Sequence, residues 1–133
     1  MSDDSHPLRR VILESPYAAR TWIGRLGNKR YARACMRDSL LRGEAPLASH
    51  LLYTQKGILN DQVPHERALG VEAGLFWGEH AEATVVYTDR GISPGMMKGI
   101  AAARRAGRRV EQRSLYRDTY NQWDEEWFVR HGI

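Results

Sequence analysis

Ala83-Thr84-Val85-Val86-Tyr87, followed by Asp89-Arg90-Gly91-Ile92-Ser93-Pro94-Gly95-Met96, is the stretch on which the fold turns. The first run reads as a buried strand, and Met97 to Ala103 reads as a helix. Between them lies a glycine-bearing turn, so the order is strand, turn, helix start. Ser93 is a natural N-cap, Pro94 suits the first helical position, and Gly95 lets a ligand approach the backbone. Such a helix start offers free N–H groups and a positive dipole end to an anion such as phosphate. The same residues also suit an ordinary capped helix.

Working outward, Arg9 to Leu13 reads as a short buried strand that gives way at Glu14-Ser15-Pro16-Tyr17. Pro16, Gly24 and Gly27 predict a loop over 14–27, with Asn28 as N-cap of a helix through Tyr31 to Leu41. Gly43 closes that helix. Ala45 to Ala48 reads as a brief strand, Ser49 to Gln55 as a helical turn and Lys56 to Val63 as a loop. Pro64 opens a helix to about Glu79, with Leu69, Ala73, Phe76 and Trp77 on one stripe and Gly70 and Gly74 suited to close packing. Gly107 ends the Ser93 helix, and Val110 to Leu115 is the last strand.

Strands alternating with helices predict an α/β domain over residues 9–115, with a mainly parallel sheet of four to five strands and helices on both faces. Residues 1–8 read as a flexible N-terminus. Residues 116–133 read as an aromatic helical tail, carrying Tyr116, Tyr120, Trp123, Trp127 and Phe128, packed on the domain or on a partner subunit; homo-oligomerisation is the expectation. Ligands of parallel sheets bind at the carboxyl ends of the strands. That rule gathers Glu14 to Tyr17, Ser49 to Tyr53 and Asp89 to Met96 around one crevice.

Composition narrows the function. At 133 residues the chain suits one domain with a real core. Its formal charge of +4 comes from basic residues scattered among 16 acids, which argues against a nucleic-acid groove. Arg104, Arg105, Arg108 and Arg109 form the one tight basic group, read as the solvated end of a helix. Cys35, the only cysteine, reads as a buried structural thiol beside Ala32, Met36, Ser39 and Leu40. No apolar run spans a bilayer, no histidine pair stands at metal-ligand spacing, and the polar start is unlike a secretory signal. The expectation is a cytoplasmic protein with no membrane partner, no metal and no cofactor.

Glu14-Ser15-Pro16-Tyr17-Ala18, then Asn28, Tyr31-Ala32, Pro46 to His50, Glu66-Arg67 and Ser93-Pro94-Gly95-Met96, resembles the nucleoside 2-deoxyribosyltransferase-like superfamily. The likeness is strongest to its small branch from phage and bacterial genomes. It runs from Val11 to Leu115 and implies a flavodoxin-like three-layer sandwich, commonly oligomeric, that binds nucleosides or nucleotides. Active members cleave an N-glycosidic bond with a glutamate in a Ser-x-Gly-x-x-x-Glu pattern. Here Ser93 and Gly95 fill the first two places and Gly99 stands at the third. Gly99 has no side chain with which to attack a sugar.

The expected function is therefore capture of a nucleotide or nucleoside-derived ligand, such as a cyclic nucleotide or an ADP-ribose derivative, without turnover. In a viral setting this would sequester a nucleotide immune signal. The alternatives are an N-glycosidase or deoxyribosyltransferase using Glu14 as a displaced carboxylate, and a structural or assembly protein. Ser93, Pro94, Gly95 and Met96 would take a phosphate. Asp89 would bind a ribose or cap the helix, and Tyr17 or Tyr53 would stack on a base. Ser15, Pro16 and Arg20 line the first loop, with Arg20 preferred over Arg67 as a phosphate ligand. His50 would contact base or phosphate. Glu72 reads as a solvated acid.

Overall fold

Tyr87, Val85 and Ala83 point to one side of a central strand and Val86 and Thr84 to the other, and all five are buried. In the computed structural model, which describes residues 8–118, this strand is β3 (Ala83–Tyr87). The other elements are β1 (Arg9–Glu14), α1 (Trp22–Leu41), β2 (Glu44–Leu47), α2 (Ser49–Leu52), α3 (Pro64–Gly78), α4 (Pro94–Arg105), β4 (Arg109–Arg113) and α5 (Leu115–Asp118). The strands form one four-stranded sheet in the order β2-β1-β3-β4, every pairing parallel. The fold is α/β.

Both faces of the sheet are covered. Val11, Leu13, Ala83, Val85 and Tyr87 pack with Tyr31, Ala34 and Cys35 of α1. Val86 packs with Met96 and Ile100 of α4, against Val110 of β4. A strand buried on both sides has no polar face to show, which is why β3 reads as a continuous apolar run. Among the described residues, β2 pairs only with β1, and Pro46 is tolerated on this edge.

Several boundaries differ from the expectation. α1 begins at Trp22, with Thr21 as its N-cap, accepting from the Gly24 N–H at 3.0 Å. Gly24 is a contact residue there rather than a break: a Cβ on it would stand 2.9 Å from the Ala19 Cβ. Asn28 is therefore inside the helix and buried, where its amide donates to the Tyr17 carbonyl at 3.0 Å. Gly43 and Gly107 close α1 and α4 in the left-handed region, at φ 85° and 71°. The last strand starts at Arg109 and ends at Arg113, because Leu115 opens α5.

The apolar stripe of α3 is turned outward, with Phe76 66% and Trp77 56% exposed and Leu69 exposed as well. Its buried positions are Gly74 and Gly78. A Cβ on Gly74 would stand 2.5 Å from Ser49 Oγ, so absent side chains set how closely α3 approaches α2. Cys35 is buried with Ala32 and Ser39, whereas Leu40 is exposed. Burial pushes the Cys35 thiol well above its ordinary range, which keeps it inert. Of the expected tail, Tyr116 is described and exposed; Tyr120, Trp123, Trp127 and Phe128 lie outside the described residues.

A charged network ties the starts of β1 and β2 to β4. Arg113 and Glu44 are both buried and bonded at 2.5 and 2.8 Å. Arg9 bridges Glu44 at 2.6 Å and Glu111 at 2.8 Å, and Ser39 donates to Glu44 at 2.7 Å. Burial alone would raise the Glu44 pKa, but these donors outweigh it and hold the carboxyl at about 2.

Candidate functional site

In the strand order, the direction of growth reverses between β1 and β3, and a crevice opens where such a reversal occurs. A cavity of about 390 Å³ is found here, at the carboxyl ends of β1 and β2. Ile12 and Glu14 enter from β1, Leu47 from β2, and His50 and Tyr53 from α2 and its end. Arg67, Gly70, Val71, Gly74 and Gly78 of α3 form one wall; Ser93 to Met96, Lys98 and Gly99 form another. Its size and mixed lining suit a small organic ligand.

Glu14 reaches across the cavity to the second turn of α4. A Cβ placed on Gly99 would collide with its carboxyl group, Oε2 foremost. Among the described residues no hydrogen bond or ion pair reaches this carboxyl, and burial pushes its pKa up to about 8, against the opposing pull of Arg108. Glu14 is thus chiefly a protonated, hydrogen-bond-donating acid at neutral pH.

Arg108 lies on the floor of the site. Its Nε donates to Thr84 Oγ1 at 3.1 Å and its Nη1 to the Gly78 carbonyl at 2.7 Å. This corrects the view of Arg108 as part of a solvated helix end: it satisfies a buried threonine and adds a second donor to the Gly78 carbonyl, which also accepts from the Ala81 N–H at 3.0 Å. Thr84, a hydroxyl inside an otherwise apolar run, was the available signal.

On the opposite side, Ser15 Oγ and His50 Nε2 lie 2.7 Å apart. The Tyr17 ring meets the His50 ring edge-on, with centroids 6.3 Å apart. Burial lowers the His50 pKa to about 4, so the imidazole is neutral at physiological pH.

The α4 start is capped as the sequence suggests. Ser93 Oγ accepts from the Met96 N–H at 3.2 Å, and the Ser93 N–H meets Met96 Sδ at 3.3 Å. A Cβ on Gly95 would lie 3.8 Å from Arg67 Nη2, so the guanidinium stands beside the helix start. Arg67 makes no ion pair with Glu66 or Asp61 among the described residues; Glu66 instead accepts from the Asn60 N–H at 2.8 Å.

Of the residues expected at the site, Glu14, Ser15, Tyr17, His50, Tyr53, Ser93, Pro94, Gly95 and Met96 line this cavity. Pro16, Arg20 and Asp89 do not. The loop after β1 is drawn over α1, with Arg25 donating to the Ala19 carbonyl at 3.1 Å and Asn28 to that of Tyr17, and Pro16 is buried while Arg20 is left exposed. Asp89 is spent on structure: it accepts from Tyr31 Oη at 2.6 Å, from the Ser114 hydroxyl and from the Leu115 N–H at 2.9 Å, capping α5 rather than α4. Arg67 and Lys98, by contrast, line the cavity. Glu72 is exposed and outside it.

Residues 9–113 match the family model described as "Domain of unknown function (DUF7768)". The chain belongs to the DUF7768 family. No curated protein and no solved structure matches it. The matched span includes every strand and the whole cavity lining, so the site belongs to the DUF7768 domain itself. Among its described residues no three His, Cys, Asp or Glu side chains gather to hold a metal, and no helix is long and apolar enough to cross a membrane. Chemically, the site offers the Arg67 guanidinium beside the α4 start, a carboxyl at Glu14 that burial keeps largely protonated, and the rings of Tyr17 and Tyr53 in its lining.

Proposed function

We propose that this domain binds a nucleotide or nucleoside-derived ligand at the carboxyl end of its sheet and holds it without turnover. The observation that carries the reading is Glu14: a carboxyl with no partner among the described residues, lining a cavity that it shares with a capped helix start and with Arg67, itself in no ion pair among those residues. A phosphate suits the α4 start and Arg67, a base suits Tyr17 or Tyr53, and the Glu14 proton suits an acceptor atom on base or sugar. The strand order and the cover on both faces favour a flavodoxin-like layering, whose ligands occupy this crevice. In a phage, such a site would serve to sequester a nucleotide signal.

A second reading is N-glycosidic cleavage with Glu14 as nucleophile. It is favoured by one fact, that the Glu14 carboxyl fills the space of the side chain missing at 99. Against it, a nucleophile must be ionised, and burial holds Glu14 protonated near neutrality.

Incubation with a panel of nucleosides and nucleotides, analysed before and after heat denaturation, separates the readings. Intact ligand released only by denaturation supports capture. Freed base that disappears in Glu14→Gln supports cleavage. Neither retention nor turnover across the panel sinks both.

A further inference from the structure

A second cavity, of about 520 Å³, adjoins the first: Tyr17, Thr54, Leu59, Asp61 and Glu66 line both. Its outer wall carries Arg25 and Lys29 from α1 and Lys56 from the loop after α2. Among the described residues neither lysine is in an ion pair, whereas Arg25 is partly occupied by the Ala19 carbonyl. Charge therefore alternates along the joined groove. Arg67 and the α4 start make a cationic end, Asp61 and Glu66 an acidic middle, and Lys29 and Lys56 a second cationic end.

An acidic middle repels phosphate but accepts hydrogen bonds from sugar hydroxyls. Cationic ends do the reverse. Two phosphates separated by hydroxyl-bearing sugar therefore match the groove better than one compact phosphate cluster. Tyr17, which lines both cavities, offers an aromatic face between the ends.

We infer that the groove takes a two-armed ligand of the dinucleotide class, with one phosphate at Arg67 and the α4 start and the other at Lys29 and Lys56. This rests on the nucleotide-binding reading and adds the second arm. A ligand engaging both ends gains affinity because its second contact is intramolecular.

The test is calorimetric titration of the whole chain with 5′-AMP and 5′-GMP, and with the linear dinucleotides pApA and pGpG. The expected result is a dinucleotide that binds at least about tenfold more tightly than its mononucleotide. The double variant Lys29→Glu/Lys56→Glu is expected to bring dinucleotide affinity down to the mononucleotide level. A dinucleotide no tighter than a mononucleotide that does bind overturns the second arm and leaves the single-phosphate reading intact. An advantage that survives the double variant overturns it too. Binding of none of the four overturns both readings.

Discussion

The Glu14 carboxyl and the missing side chain of Gly99 compete for one volume: any Cβ at position 99 would enter the space of Glu14 Oε2. β1 and α4 are remote in sequence, yet the acid of one is accommodated by the absence of a side chain on the other. Glu14 is thereby held against α4, partly exposed to the cavity and, among the described residues, without a counter-ion in contact.

Its titration is the first consequence. The folded pKa of about 8 lies above the ordinary carboxylate value, so the folded state keeps a proton that the unfolded state loses. Stability should therefore fall as pH rises through about 4.5 to 8 and level off above, with a slope of at most about 1.4 kcal/mol per pH unit from this group. Glu14→Gln should remove that component, which a pair of thermal-melt series from pH 5 to 9 would read. Ligand affinity should fall across the same upper limit if the proton is donated, whereas a nucleophilic Glu14 would give a rate that rises there.

The shared volume predicts coupling between the two positions. Gly99→Ala should displace the Glu14 carboxyl and cost about 1–2 kcal/mol. In a Glu14→Ala background the same change should cost little, because the colliding atoms are gone. Urea denaturation of the four proteins gives the coupling energy, and a value under about 0.5 kcal/mol would contradict the geometry.

The anion seat is checked by a contrast of two arginines. Arg67→Glu should abolish binding of a nucleotide phosphate, because the guanidinium flanks the α4 start. Arg20→Glu should leave it intact, since Arg20 lies outside the cavity lining. Equal losses in both, measured by titration calorimetry, would return the phosphate to the first loop.

At the amino end of β2, Glu44→Gln should cost about 2–3 kcal/mol, because it removes the closer and more buried of the two carboxylates paired with Arg113 and leaves Glu111 at 3.2 Å. With the folded pKa held at about 2, the contribution of Glu44 is present above about pH 4.5 and is lost as pH falls towards 2. Denaturant midpoints at pH 7 and pH 3 should show the variant penalty shrinking with acid.

How much of this was legible follows from the range of each interaction. β3 and the Ser93 cap could be read because a doubly buried strand and a helix start are written in neighbouring residues. The start of α1 at Trp22 is not legible locally, because Gly24 and Asn28 look like a break and a cap in isolation. Both serve partners outside their own turn, Ala19 for one and Tyr17 for the other. In α3 the close packing at Gly74 is legible in the sequence, but the outward turn of Leu69, Phe76 and Trp77 is not, because apolar periodicity does not say which face a helix buries when it packs through glycine.

The sequence by itself determined the alternation of strands and helices and the capped turn at Ser93, because each depends on local propensity and spacing. Only the tertiary structure decided that Glu14 reaches the vacancy at Gly99, that Arg67 rather than Arg20 stands by α4, and that Asp89 is spent on α5. Those outcomes depend on which remote atoms meet after the strands pair, and no local pattern encodes such meetings.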